Sequence, residues 1–581
     1  MRSLTRSGFI IACAAAAVAC GPSTTDDPAS RPVNVELATF PAEWTYQPGR
    51  QVPSAEHGMV ALNSALATEA GVEILKAGGN AVDAAVAVGF ALAAAYPEAG
   101  NIGGGGYAVL RMGDGRTAAL DYRETARASA SRDMFIGPDG KPTDQSLVGH
   151  RASGVPGSVA GLLALLERHG TLAREQVMAP AIRLARDGFV VDEIFRGSVE
   201  RNADLIAKFD GVTLFLPDGH PPEPGTRFVQ PDLARTLERI AELGAAGFYD
   251  GPVAQAVDAE MRKHGGTITA ADLAAYEPAW RTPIESSYRG HAVIAMPPSS
   301  SGGVTVAESL NILETWPDPA PWGTAAGLHR LASAFQLAFI DRNEALGDPA
   351  FVSVPVDRLT SKDYARSLRD LIAADRATPT ATLQEPPRES RETTNYVVVD
   401  GQGNAVAITT TINSLYGSGV WVPGAGFFLN NEMDDFAAQP GTPNQFGLVQ
   451  GEANAAAPGK RMLSAMAPTI VLDTDGSVLM LVGGRGGPRI ITAVAQAIVN
   501  VIDHRMTLAD AMGAPRVHHQ ALPDRLTFEK GGVDAAVVEE LMKRGYAAEP
   551  GPTGTLTAIR RVPGGWEGMV DPRAAGLAAG Y

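Results

Sequence analysis

One stretch limits this chain's possible folds more than any other. It runs Thr393-Thr-Asn-Tyr-Val-Val-Val-Asp400, then Gly-Gln-Gly-Asn404, then Ala405-Val-Ala-Ile-Thr-Thr-Thr-Ile-Asn413. Apolar and β-branched residues recur with a period of two, which reads as paired strands, and Asp400 to Asn404 carries the glycines a hairpin turn needs. Ahead of it, residues 378–392 are polar and Pro-rich, the composition of an exposed connector that can be cut. A threonine thus heads a strand deep inside the chain, directly after a cleavable segment. That is the layout of a protein that cuts itself to expose a new amino terminus. Such a threonine attacks through its hydroxyl while its own amine, with a reference pKa of about 7.7–8.0, accepts the proton. A Thr-Thr pair before a strand also fits plain β-propensity, and both readings stand on these residues alone.

The amino terminus reads as an export signal. Arg2 and Arg6 precede an apolar run, Phe9 to Cys20, too short to cross a bilayer as a helix. Residues 1–19 are expected to be a signal peptide and residues 20–50 a tether. The small residues before Cys20 resemble a lipoprotein signal, with Cys20 lipidated, and also fit ordinary cleavage after Ala19. The expected location is periplasmic, on a bacterial membrane if Cys20 carries lipid. Cys13 and Cys20 are the chain's two cysteines, which leaves the mature protein without a disulfide, a thiol nucleophile or a thiolate metal site. A net charge of −16 argues against a nucleic-acid partner.

Farther along, Ser64 to Ala77 has a helical pattern, and Asn80 is placed to cap a second helix through Ala95 that is apolar nearly all round and so predicted to be buried. The run Gly103 to Gly106 leads into a strand without a following Gly-Lys-Ser/Thr, so it reads as a tight turn or close packing rather than a phosphate cradle. Strands are predicted at 107–111, 117–122, 469–472 and 478–482, and helices at 489–502 and 533–544, with residues 155–380 mostly helical.

Four further features could carry chemistry. Gly483-Gly-Arg-Gly-Gly-Pro488 links a strand to a helix and could aim backbone N–H groups at an oxyanion, or be a simple turn. Asn430-Asn-Glu-Met-Asp-Asp435 could hold a substrate ammonium, or be a solvated turn. Arg123, at a strand end, could pair with a substrate carboxylate or make an ordinary surface ion pair. The ten histidines are scattered without zinc-ligand spacing, so no metal and no cofactor are expected.

Together these residues strongly resemble the γ-glutamyltransferase (glutathione hydrolase) family of N-terminal-nucleophile hydrolases, from about Gly58 to Tyr581. The motifs that carry the resemblance include Gly78 to Ala85, Pro97 to Gly106, Asp121 to Glu124, Ser153 to Gly157, Pro298 to Gly303, Asp341-Arg342, Thr393-Thr394, Asn430 to Phe436 and Asp571 to Arg573. The resemblance implies an α+β fold, a four-layer αββα sandwich built from two subunits cut from one precursor between Glu392 and Thr393. The large subunit would be 51–392 and the small one 393–581, held as a heterodimer. It implies Thr393 as nucleophile, Thr411 supporting it, and Gly486 with Gly487 as the oxyanion hole. Arg123 and Ser464 would bind the substrate α-carboxylate, and Asn413, Glu432 and Asp435 its α-amino group. The implied reaction is cleavage of γ-glutamyl amides such as glutathione, followed by hydrolysis or transfer to amino acids or peptides. A related acylase acting on glutaryl-β-lactam or poly-γ-glutamate, and an inactive peptide-binding surface lipoprotein, are the alternatives. Departures from the family pattern bear on substrate. Ala465 replaces a second serine, Arg485 adds a cation expected near the cleft, Pro488 replaces a serine, Asn395 replaces a common histidine, and Phe446 replaces a tyrosine in the lid loop 440–460.

Overall fold

Strands drawn from the beginning, middle and end of the chain pair into two seven-stranded antiparallel sheets. In this computed structural model the described residues are 39–382, 393–439, 441–442, 444–445, 448 and 450–581. The sheet strands are β1 (Ser54–Ala55), β2 (Met59–Leu62), β3 (Gly105–Arg111), β4 (Thr117–Asp121), β5 (Ala279–Arg281), β6 (Ile284–Tyr288) and β7 (His291–Ala295). They continue with β8 (Thr394–Val399), β9 (Ala405–Thr411), β10 (Thr469–Leu472), β11 (Val478–Arg485), β12 (Thr555–Val562), β13 (Gly565–Val570) and β14 (Leu577–Gly580). One sheet is ordered β1-β13-β12-β11-β10-β7-β6 and the other β14-β2-β8-β9-β3-β4-β5. The helices that matter for the site are α1 (Ala65–Lys76), α2 (Ala81–Ala95), α3 (Ser158–His169), α4 (Gly251–Lys263), α5 (Gly302–Glu314), α6 (Ala325–Ala345) and α7 (Arg489–Ile502).

The two-residue period of each strand sorts its side chains into layers. In β8, Tyr396 and Val398 pack with α1, α2 and α3, while Val397 and Val399 meet Ile470, Leu481 and Ile559 of the facing sheet. On that sheet's far side, Val471, Met480 and Val482 pack under α5, α6 and α7. Each sheet is therefore covered on both faces, and the result is the expected αββα sandwich. Helix α2 is buried from Ala81 to Ala94, as its all-round apolar sequence requires. Its start is fixed by the predicted cap: Asn80 Oδ1 accepts from the amides of Val82 and Asp83 at 2.8 and 3.0 Å.

The structure corrects one expectation and adds strands the pattern did not show. The tether does not extend to residue 50, because Phe40 and Trp44 are buried and Trp44 Nε1 donates to the Gly513 carbonyl at 2.8 Å. Residues 155–380 are mostly helical as expected, and within them β5, β6 and β7 add strands to both sheets. The carboxy-terminal strands β12 to β14 also escaped the pattern reading. Cys20 and Glu392 lie outside the described residues.

Candidate active site

Thr393 stands directly before β8, and the antiparallel register that pairs Thr394 with Thr410 puts Thr393 and Thr411 at the same end of the sheet. There they line a small cleft with about 330 Å³ of empty space, part of it open to solvent. Arg123, Asn413, Glu432, Asp435, Ser464 and Gly487 line the same cleft, so residues scattered over more than 350 positions converge on Thr393. Gly486 sits one residue behind Gly487 and is not part of the wall.

Each of these positions is built by local chemistry. Asn413 follows β9 with φ of 71°, a left-handed conformation that Asn tolerates better than most residues. Its backbone N–H donates to Thr411 Oγ1 at 2.8 Å, which leaves the threonine proton free to donate toward the cleft. Its side-chain Nδ2 donates to the Asn431 carbonyl at 3.0 Å. Gly486 and Gly487 have φ of 124° and 58° in the turn from β11 to α7, a path that excludes side chains and brings backbone to the first turn of a helix.

Asn430 to Asp435 is buried rather than solvated, and Glu432–Asp435 form a 3₁₀ turn. Asn430 anchors it: its Nδ2 donates to the carbonyls of Gly103 and Gly154 at 2.8 and 2.9 Å. Its Oδ1 accepts from the amides of Gly154 and Glu432 at 2.9 and 3.0 Å. The glycine run serves close packing, since a Cβ on Gly103 would lie 2.1 Å from the Phe428 carbonyl and one on Gly104 2.1 Å from that of Thr411.

Arg123 is not a surface residue; its side chain is 1% exposed. Nη1 lies 2.7 Å from Glu432 Oε2 and 3.6 Å from Glu124 Oε2, and Nη2 bonds Asp435. Burial alone would weaken this cation, but Glu432, Asp435 and Glu124 outweigh it and raise its pKa. Burial also raises Glu432 and Asp435, against the pull of Arg123. Three carboxyls around one guanidinium cannot all ionise in a dry pocket. Glu124, pushed up to about 8 by burial, keeps its proton at neutral pH.

Ser464 is held from behind by the 299–301 segment, whose Ser301 N–H and Oγ donate to its carbonyl at 2.8 and 2.5 Å. Behind it stands Arg342, a cleft residue to which the sequence reading gave no role. Its Nε donates to Ser301 Oγ at 3.0 Å and its Nη1 to Asn343 Oδ1 at 2.9 Å, while Nη2 is buried without a hydrogen-bond partner among the described residues. Burial draws its pKa down to about 10, so it stays charged at neutral pH. Its signal in the sequence was Asp341-Arg342 in a helix that is buried over much of its length.

Two departures read differently in three dimensions. Arg485 does not add a cation to the cleft; its Nη1 donates to Tyr96 Oη at 2.8 Å and its Nε to Thr555 Oγ1 at 3.1 Å. Asn395 spans the two sheets, its amide 2.8 Å from Thr409 Oγ1 and 2.5 Å from Thr557 Oγ1. Phe446 lies outside the described residues, whereas Leu448 of the same loop closes one side of the cleft.

A sandwich of this kind, with a threonine at the head of a central strand and a glycine turn opposite, defines an N-terminal-nucleophile hydrolase architecture. The family profile described as Gamma-glutamyltranspeptidase matches residues 67–581, and the chain belongs to that family. It is 46% identical over 536 residues to the glutathione hydrolase proenzyme of Escherichia coli K12, covering 91% of this chain and 92% of that one. It is 41% identical to the acylase ACY 1 proenzyme of Pseudomonas sp. SE83, over 88% of this chain and 91% of the relative. Among solved structures, a cephalosporin acylase from Bacillus halodurans superposes with a TM-score of 0.80 at 28% identity, covering 94% of this chain and 99% of the other.

Proposed function

We propose that the protein cleaves its own chain between Glu392 and Thr393 and then hydrolyses γ-glutamyl amides such as glutathione, with transfer to amino acids or peptides as a second outcome. The observation that carries this reading is the charge pattern around Thr393. Asp435 Oδ1 and Glu432 Oε1 accept no hydrogen bond among the described residues, and Arg342 Nη2 donates none. Such unmet buried groups are costly unless a ligand completes them. A glutamyl head group brings the matching pair, an ammonium for the carboxylates and a carboxylate for Arg342, Arg123 and Ser464.

In the reaction, Thr393 Oγ bonds the γ-carbonyl carbon and the hydroxyl proton passes to the new Thr393 amine. The N–H groups of Gly486 and Gly487 receive the developing oxyanion. The carbon–nitrogen bond then breaks, the proton leaves with the amine, and water or an acceptor amine attacks the remaining ester. The two pieces stay together as a heterodimer, and export with lipid on Cys20 keeps them in the periplasm, anchored to a bacterial membrane.

Purified protein incubated with glutathione or a γ-glutamyl anilide releases glutamate, whereas Thr393→Ala runs as one band on a denaturing gel and releases none. Wild-type protein that leaves both substrates intact overturns the reading. A second reading, acylase action on a glutaryl amide, is supported by Ala465, which removes one hydroxyl from the head-group site, and by the acylase relatives. A higher kcat/KM for glutaryl than for γ-glutamyl anilide decides in its favour.

A further inference from the structure

Outside the cleft, three side chains meet on a single point. His150 Nε2 lies 2.8 Å from Glu260 Oε1, and His264 Nε2 lies 3.5 Å from the same oxygen. The two imidazoles stack with centroids 4.7 Å apart, and one donor atom from each of the three residues falls within 4.8 Å of the others. Glu260 is in α4 and His264 follows one turn later, so both project from one helix face. His150 arrives from a turn 110 residues earlier. His150 and Glu260 are buried, while the His264 side chain is 41% exposed.

We propose that His150, Glu260 and His264 form a binding site for a zinc-class divalent cation. Two imidazoles and a carboxylate are the donor set of a three-ligand zinc site with a fourth position left for water. Tetrahedral coordination at about 2.0–2.1 Å sets donors about 3.3 Å apart, and the observed separations of 2.8 and 3.5 Å bracket that value. A simple histidine–carboxylate hydrogen bond would need only one ring. Here the second ring, at 18° to the first, brings its Nε2 to 3.5 Å from the same oxygen. The sequence reading found no zinc-ligand spacing among the histidines, because only the fold brings the 150 turn to α4.

The cation would fasten α4 to the segment that supports the 430–435 turn. In that segment Ser146 Oγ donates to Asp434 Oδ1 at 2.8 Å and the Leu147 carbonyl accepts from Asn431 Nδ2 at 3.0 Å. The Gly149 amide donates to the Ser418 carbonyl at 2.9 Å, and the Ala152 carbonyl accepts from the Met433 amide at 3.1 Å.

The test uses untagged, chelator-treated full-length protein titrated with Zn²⁺ and, as a spectroscopic probe, Co²⁺. The expected result is one ion per chain, with visible cobalt absorption of four- or five-coordinate type, and a Tm that rises with free zinc. His264→Ala, which changes a half-exposed side chain and leaves the buried pair in place, is expected to weaken binding by at least about 100-fold, more than loss of an outer partner costs. Glu260→Gln is expected to remove the cobalt spectrum. Wild-type protein that takes up no stoichiometric ion, or an affinity that His264→Ala leaves unchanged, overturns the proposal. Because the readouts are binding and spectra, they stand apart from whether the cleft acts on glutamyl amides.

Discussion

At the residue scale, Arg123 and Ala465 pull the site in different directions. Arg123 balances a nest of buried carboxyls, so Arg123→Met leaves Glu432, Asp435 and Glu124 facing each other. Loss of one partner of such a buried cluster costs about 3–5 kcal/mol, and the expected fall in stability is read by urea unfolding. Glu432→Gln, which keeps the shape, is expected to cost less than half as much. Ala465 lines the cleft beside Ser464. Ala465→Ser restores a hydroxyl, and one hydrogen bond to a charged group of about 1.5 kcal/mol lowers KM for a γ-glutamyl anilide roughly tenfold, with kcat little changed. Thr393 stood out in the sequence at the head of a strand, and Glu432 and Asp435 in a cluster of amides and carboxylates, whereas Asn413 was singled out only through the family resemblance. Two of the pairings of Arg123 were not legible, since Glu432 and Asp435 meet it only through tertiary structure, unlike its chain neighbour Glu124. Arg342 was named in a motif without a task, because nothing in Asp341-Arg342 reveals which way one helical side chain points.

At the element scale, the glycine strap before β3 and the 430–435 turn depend on each other. A methyl on Gly103 meets the Phe428 carbonyl and the Phe427 ring at 2.1 and 2.8 Å, both on the segment that leads into Asn430. Gly103→Ala is therefore expected to destabilise by about 1–3 kcal/mol or more and to lower activity further than Gly513→Ala, whose Cβ comes no nearer than 3.7 Å to any neighbour, Tyr46. Thermal unfolding and turnover measured on both variants check this. The hairpin of β8 and β9 was plain from its alternation and its turn residues. Strands β5 to β7 were hidden because they are three to five residues long and lie between helical stretches. Strands β12 to β14 alternate apolar with small or polar residues, as in Thr555-Leu-Thr-Ala-Ile559, and glycine and arginine dilute the signal.

At the scale of the molecule, both sheets mix strands from before and after residue 393. β8 lies between β2 and β9, and β9 pairs in turn with β3, while β10 pairs with β7 of the other sheet. A cut before Thr393 thus leaves two pieces that share both hydrophobic cores. They are expected to co-elute at every native salt concentration and to unfold in one calorimetric transition; separate transitions would contradict the shared core. Acid response follows from Asp434, which burial lifts from 3.8 to about 6 against its bonds from Ser146 and Gln445. The folded state holds this proton more tightly than the unfolded chain. Its stabilisation is full below about 3.8 and is lost as pH rises through about 6. Between pH 4 and 7, wild-type stability is expected to fall by up to about 3 kcal/mol more than that of Asp434→Asn, as measured by denaturant titration.

The pairing of β14 with β2 also sets a timetable. Met59–Leu62 is made long before its neighbour on one side, Leu577–Gly580. At translation speeds of about 5–20 residues per second, the wait between them runs from roughly half a minute to nearly two minutes. For about the first two thirds of it β2 has unmet backbone on both edges, because β8 is still unmade, and for the rest one edge stays open. The nascent chain is thus a long-lived, sticky, unfinished sheet, and its yield in a cell is expected to depend on whatever shields that early strand until Leu577–Gly580 joins it.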